Sequence, residues 1–93
     1  MFNRVLFRIR ERIRYRQYVM TQHARKEMND DGLTIFDVEH AILTGEIIER
    51  QRDQQTNEPK YRIEGESLVD ALIETVVKTG PTGKVVIMTV YRT

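Results

Sequence analysis

Two apolar segments flanking a Gly80-Pro81-Thr82-Gly83 turn constrain this chain more than any other feature. Ile73–Lys78 on one side and Lys84–Arg92 on the other are rich in Val, Ile and Thr, which suit a pleated backbone. Turn residues between two such runs predict an antiparallel hairpin. Val85 to Met88 is apolar at every position, so the hairpin belongs in the middle of a sheet. The rest of the chain must supply the cover. Ninety-three residues allow one domain with a modest core, here taken as residues 1–93.

The cover is helical and comes first. Phe2, Val5, Leu6, Ile9 and Ile13 recur at helical spacing and predict a basic amphipathic helix over about 2–16. No Gly or Pro marks its end. Thr21 is an N-cap for a second helix with Met20, Ala24 and Met28 on its inner side, stopped by Asn29-Asp30-Asp31-Gly32 with Gly32 in the left-handed position. Thr34 caps a third helix, and Asp37 three residues on completes a weak capping box. Ile35, Val38, Ala41 and Ile42 form its inner stripe before Gly45. Strands then follow from Ile47 toward Arg52 and over Lys60–Glu64, separated by a polar loop at 53–59. The expected class is α+β, with N-terminal helices on one face of a three- to four-stranded antiparallel sheet. Residues 1–17 form the basic helix and 18–93 the remaining core.

Charge is distributed unevenly. Residues 1–20 hold six arginines and one acid, whereas residues 21–93 carry a net negative charge. Such a segment suits a polyanion or an acidic partner, or a solvated helix face. Every cation in it is Arg, whose planar fork matches phosphate and carboxylate. No apolar run approaches the roughly 18 residues needed to span a bilayer, so no membrane partner is expected. Arginines interrupt the first apolar stretch, which argues against a signal peptide. The absence of cysteine removes disulfide and thiolate chemistry and fits a cytoplasmic location.

Two residues stand out for acid–base chemistry. His23 lies in the opening turn of the second helix, where the helix N-terminus favours neutral imidazole, a base or a donor. Its simpler role is a pair with Glu27 at i, i+4, or an anchor to the sheet. Tyr91 ends the last strand, sharing a face with Thr89, Ile87 and Val85 by alternation, while Arg92 shares the other with Val90, Met88 and Val86. Tyr61 and Lys78, on other strands, could join either. Arg, Lys and Tyr on an uncovered sheet face suit RNA, cations holding phosphates and phenols stacking on bases. The alternative is that both tyrosines are core-edge residues. His40 reads as a surface residue. No histidine spacing matches a metal motif, no phosphate-binding glycine loop exists, and the reading calls for no cofactor.

The T-Q-H-A run at 21–24, Met28, Gly32, D-V-E at 37–39, Ala41-Ile42-Leu43, G-E-I-I-E at 45–49, Gly65, Val76-Val77-Lys78 and I-M-T-V-Y at 87–91 together resemble the bacterial domain-of-unknown-function family 4258. The resemblance runs from about residue 18 to 91. It implies a RelE-like or barnase-like fold and similarity to toxins of type II toxin–antitoxin pairs that cleave mRNA without metal. On that implication His23 and Tyr91 are catalytic candidates and a cognate antitoxin is a partner. Many members carry Arg where this chain has Glu27, which leaves Arg25 or Lys26 to hold phosphate there. Lys78, Arg92 and Tyr61 complete the core's candidate RNA contacts, and Arg8 and Arg12 extend them to the first helix. A non-catalytic RNA- or protein-binding module is the competing expectation, and a homodimerising scaffold a third.

Overall fold

The computed structural model describes residues 1–93. Three helices precede most of the sheet: α1 (Asn3–Arg14), α2 (Gln22–Asp30) and α3 (Ile35–Thr44). The strands are β1 (Tyr18–Met20), β2 (Glu46–Arg52), β3 (Pro59–Glu66), β4 (Leu72–Thr79) and β5 (Val85–Arg92). They form one sheet in the order β1-β5-β4-β3-β2. The expected hairpin is present as β4–β5, and β2 to β5 form an antiparallel meander.

The sheet has five strands, not three or four, and is not wholly antiparallel. Tyr18–Met20 adds an edge strand parallel to β5, with Tyr18 opposite Val85 and Met20 opposite Ile87. Three residues are too few to show a period, and their partner lies at the far end of the chain. Met20, expected inside the second helix, therefore belongs to β1.

The helix ends follow local chemistry. Thr34 and Asp37 form a full capping box, and the buried Asp37 carboxylate also accepts from Leu68 N at 3.0 Å. That extra bond pins the β3–β4 loop to the start of α3. The bond from the Thr34 backbone, and after it the one from Leu68, hold the Asp37 pKa below its ordinary value against the opposing effect of burial. Gly32 sits at φ +69 in a Schellman turn closed by Gly32 N→Asn29 O and Leu33 N→Met28 O. The unmarked end of α1 has the same geometry. Arg16 N bonds Ile13 O, Gln17 N bonds Arg12 O, and Arg16 occupies the left-handed position at φ +56.

All three helices cover one sheet face. Ile9 and Ile13 of α1, Ala24 and Met28 of α2, and Val38, Ala41 and Ile42 of α3 pack on Ile63, Ile73, Val77, Val85, Ile87 and Val90. α3 comes so close to β3 that two glycines are obligatory. A Cβ on Gly65 would lie 2.1 Å from Ala41 O, and one on Gly45 would lie 2.3 Å from Glu64 O.

A bulge changes which residues share a face. Val76 pairs with Thr89 but Val77 pairs with Ile87, so Met88 is the extra residue of β5. Val85, Ile87 and Val90 are all buried toward the helices. Tyr91 therefore shares the uncovered face with Thr89 and Val86, not with Ile87 and Val85 as strict alternation predicts. Arg92 falls in line with Val90 at the end of the covered face. Tyr61 is 9% exposed, and its ring meets Phe2 edge-on with centroids 6.1 Å apart. It is a core residue and does not reach the uncovered face.

Candidate functional site

The start of α2 is built onto the β5 bulge. Thr21 Oγ1 accepts from Ala24 N at 3.1 Å and donates to Met88 O at 3.2 Å. β1 pairs only with the first part of β5, so beyond Ile87 the edge of β5 would be open. α2 takes over that edge with side chains. Glu27 Oε1 accepts from Val90 N at 3.1 Å, and Asp31 Oδ2 accepts from Arg92 N at 3.0 Å. Four helical residues advance about 6 Å and two strand residues about 6.6 Å, so the spacings match.

His23 stands one turn before Glu27, its side chain 70% exposed, with Nε2 3.2 Å from Glu27 Oε1. The pairing expected from the i, i+4 spacing is present. The contact is an ion-pair distance without hydrogen-bond alignment. Glu27 lies beside the ring and also bonds the β5 edge. A carboxylate at position 27 thus has a definite task that an arginine could not perform.

Tyr91 follows Val90 directly and projects onto the uncovered face, opposite Glu74 on β4. Its pKa is raised, first by desolvation, then by a hydrogen bond and charge from Glu74, with Glu27 adding in the same sense and Arg62 opposing. The phenol is therefore a proton donor and not a base near neutral pH. Arg62 Nε lies 3.0 Å from Glu74 Oε1, an ion contact without hydrogen-bond alignment, and its Nη1 lies 3.4 Å from Glu49 Oε1. Glu74 and Arg62 thus neighbour Tyr91 on the uncovered face, while Glu27 reaches the β5 edge at Val90 with His23 one turn before it.

Other candidates lie elsewhere. Lys78 is on the uncovered face but four residues along β4 from Glu74, about 13 Å away, and is paired with Glu58 at 3.2 Å. Arg25 is exposed on α2 and has no carboxylate partner. Arg92 is exposed at the end of β5, its backbone held by Asp31. Arg8 is exposed on α1, while Arg12 bonds Gly83 O and Gln17 Oε1, both at 3.0 Å. Arg10 bonds Gly45 O at 2.6 Å. Two of the α1 arginines therefore fasten the helix to loops instead of pointing freely outward.

The sequence reading missed Arg62 and Glu74. Both lie on predicted strand segments, but only the β3–β4–β5 register brings them to Tyr91. Glu27 was visible as a partner of His23, while its bond to Val90 was not. No group of three or more His, Asp or Glu side chains is arranged to hold a metal ion. No helix is long and apolar enough to cross a membrane.

No curated protein and no solved structure matches the chain. One family model does, described as a domain of unknown function, DUF4258, and it matches residues 20–92. Its span begins at the end of β1 and takes in the His23–Glu27 pair, Tyr91, Glu74 and Arg62, leaving α1 outside. The chain belongs to the DUF4258 family.

Proposed function

We propose that this chain is a toxin-like, RNA-directed domain of RelE-like or barnase-like type, acting as a metal-independent endoribonuclease of a type II toxin–antitoxin pair. The observation that carries the reading is the exposed His23 imidazole in contact with Glu27, whose carboxylate also accepts from the N–H of Val90, the residue before Tyr91. In this reading His23 Nδ1 takes the proton of a ribose 2′-OH. The 2′-oxygen bonds to phosphorus, the P–O5′ bond breaks, and the leaving oxygen takes a proton from Tyr91. Arg25 and Arg92, exposed cations of the family-matched region, are assigned the phosphate charge in this reading.

A second reading has its own observation. Glu27, Glu49 and Glu74 surround the site with carboxylates, and Arg62 is already engaged by two of them. Such surroundings oppose a phosphate at this site and favour a non-catalytic module that binds an antitoxin protein or a second copy here, with any RNA contact made elsewhere on the surface.

One experiment separates the two. Purified protein is incubated with mRNA in a chelator, alongside His23→Ala and Tyr91→Phe. The nuclease reading expects cleavage by the wild type and losses of about 100-fold or more in each variant. Intact RNA with the wild type decides for the binding module.

A further inference from the structure

α1 carries cations that the histidine–tyrosine site does not use. At about 100° per residue, Arg4, Tyr15 and Arg8 fall within about 40° of one another around the helix, and Arg12 about 40° beyond Arg8. Tyr15 is 72% exposed, an unusual place for an aromatic ring with no packing role. The Arg8–Arg12 flank faces the β4–β5 turn, where two shallow cavities of about 190 and 210 Å³ meet at Arg12 and Gly83. Arg8 lines one, and Gln17, Thr82 and Lys84 line the other. No carboxylate lines either.

The cations there are poised differently from those on the sheet. Arg62 and Lys78 are tied to carboxylates, whereas Arg8 and Lys84 make no ion pair. Arg12 is fixed by bonds from Nε and Nη1 to neutral oxygens, so its charge is uncompensated and its Nη2 remains available. The one acid of α1, Glu11, is held by Arg14 at 3.4 Å. Arg16 adds a further cation at a left-handed position where glycine would be less strained, which points to a use for its side chain other than stability.

We propose that the cleft between α1 and the β4–β5 turn binds the phosphodiester backbone of single-stranded RNA, with Tyr15 as a platform for an adjacent base. The fixed Arg12 guanidinium, with Nη2 open, suits a phosphate oxygen, and a ring among cations suits a base stacked beside its own phosphate. The cavities are small enough for a phosphate and too narrow for a helix of an acidic protein. The proposal rests on the RNA-directed reading for its ligand class but not on cleavage.

The test is fluorescence anisotropy of the full-length protein with a labelled oligouridylate, over a salt series and in a chelator. Arg8→Glu and Lys84→Glu are each expected to weaken binding about tenfold and to make the salt slope shallower by about one. Tyr15→Ala is expected to weaken it about fivefold or more. Arg50→Glu, an equal change of charge on β2 at the far edge of the sheet, should leave binding unaltered. Circular dichroism establishes that each variant is folded. Loss of binding in the cleft variants with RNA left intact by the wild type supports the cleft and removes only the nuclease reading. Equal affinity across wild type, Arg8→Glu and Lys84→Glu overturns the cleft, as does tighter binding of an oligoglutamate than of the RNA.

Discussion

Glu27 shows how one side chain can carry structural and chemical duties together. Its Oε1 atom meets both the Val90 N–H at the β5 edge and the imidazole of His23. The backbone bond matters more for stability, because a half-buried N–H loses a charged acceptor when the carboxylate is removed. The contact to an exposed histidine contributes little to folding. Glu27→Ala should therefore destabilise the protein by about 2 kcal/mol, whereas Glu27→Gln, which keeps an acceptor, should cost about 1 kcal/mol or less. His23→Ala should be close to neutral. Thermal melts would resolve the first two by several degrees in a domain of this size, and amide exchange at Val90 should quicken in the alanine variant alone. Identical melting of the alanine and glutamine variants would show that the carboxylate does not cap the strand.

Among the elements, the contact between α3 and β3 sets the tightest tolerance. Gly45 has ordinary extended backbone angles, and at both Gly45 and Gly65 the constraint is space. A methyl at Gly65 would meet the backbone oxygen of Ala41, which no rotamer change can move aside. Gly65→Ala should cost about 3 kcal/mol, lowering the melting temperature by about 12 °C or more; a shift under a few degrees would mean that α3 lifts from the sheet without strain. Helices and caps such as Thr34–Asp37 were legible in the sequence because their signals lie within four residues. The β4–β5 hairpin was legible for the same reason. β1 was not, since it is short and finds its partner some 65 residues later. The bulge at Met88 was equally silent, and a single inserted residue was enough to exchange the faces of the first half of β5. The site inherits that limit: His23 and Tyr91 could be named from the sequence, but Glu74 and Arg62 enter only through register.

At the scale of the whole molecule, the family-matched region and the domain are not the same object. The family model begins at residue 20, yet the core cluster includes Ile9 and Ile13 of α1, 3% and 2% exposed, with Phe2, Val5 and Leu6 packed against it. Arg10 and Arg12 add bonds to Gly45 and Gly83 at opposite flanks of the helix. Burial of each isoleucine contributes about 1.5–3 kcal/mol, so the pair accounts for about 3–6 kcal/mol. A domain of this length has a total stability of about 5–14 kcal/mol. Removing α1 would take away a large part of that margin and bare the apolar side of α3 and part of β5 to water. A fragment covering residues 18–93 should therefore show no cooperative melt, or one lowered by at least 20 °C, and should bind dyes that report exposed apolar surface. The full chain carrying Arg8→Glu should melt within a few degrees of the wild type, because Arg8 is exposed and unpaired. That contrast would separate the two faces of α1, an inner one that the fold requires and an outer one free to meet a ligand. A fragment that melts like the full chain would mean that α1 is held by the domain without holding it together.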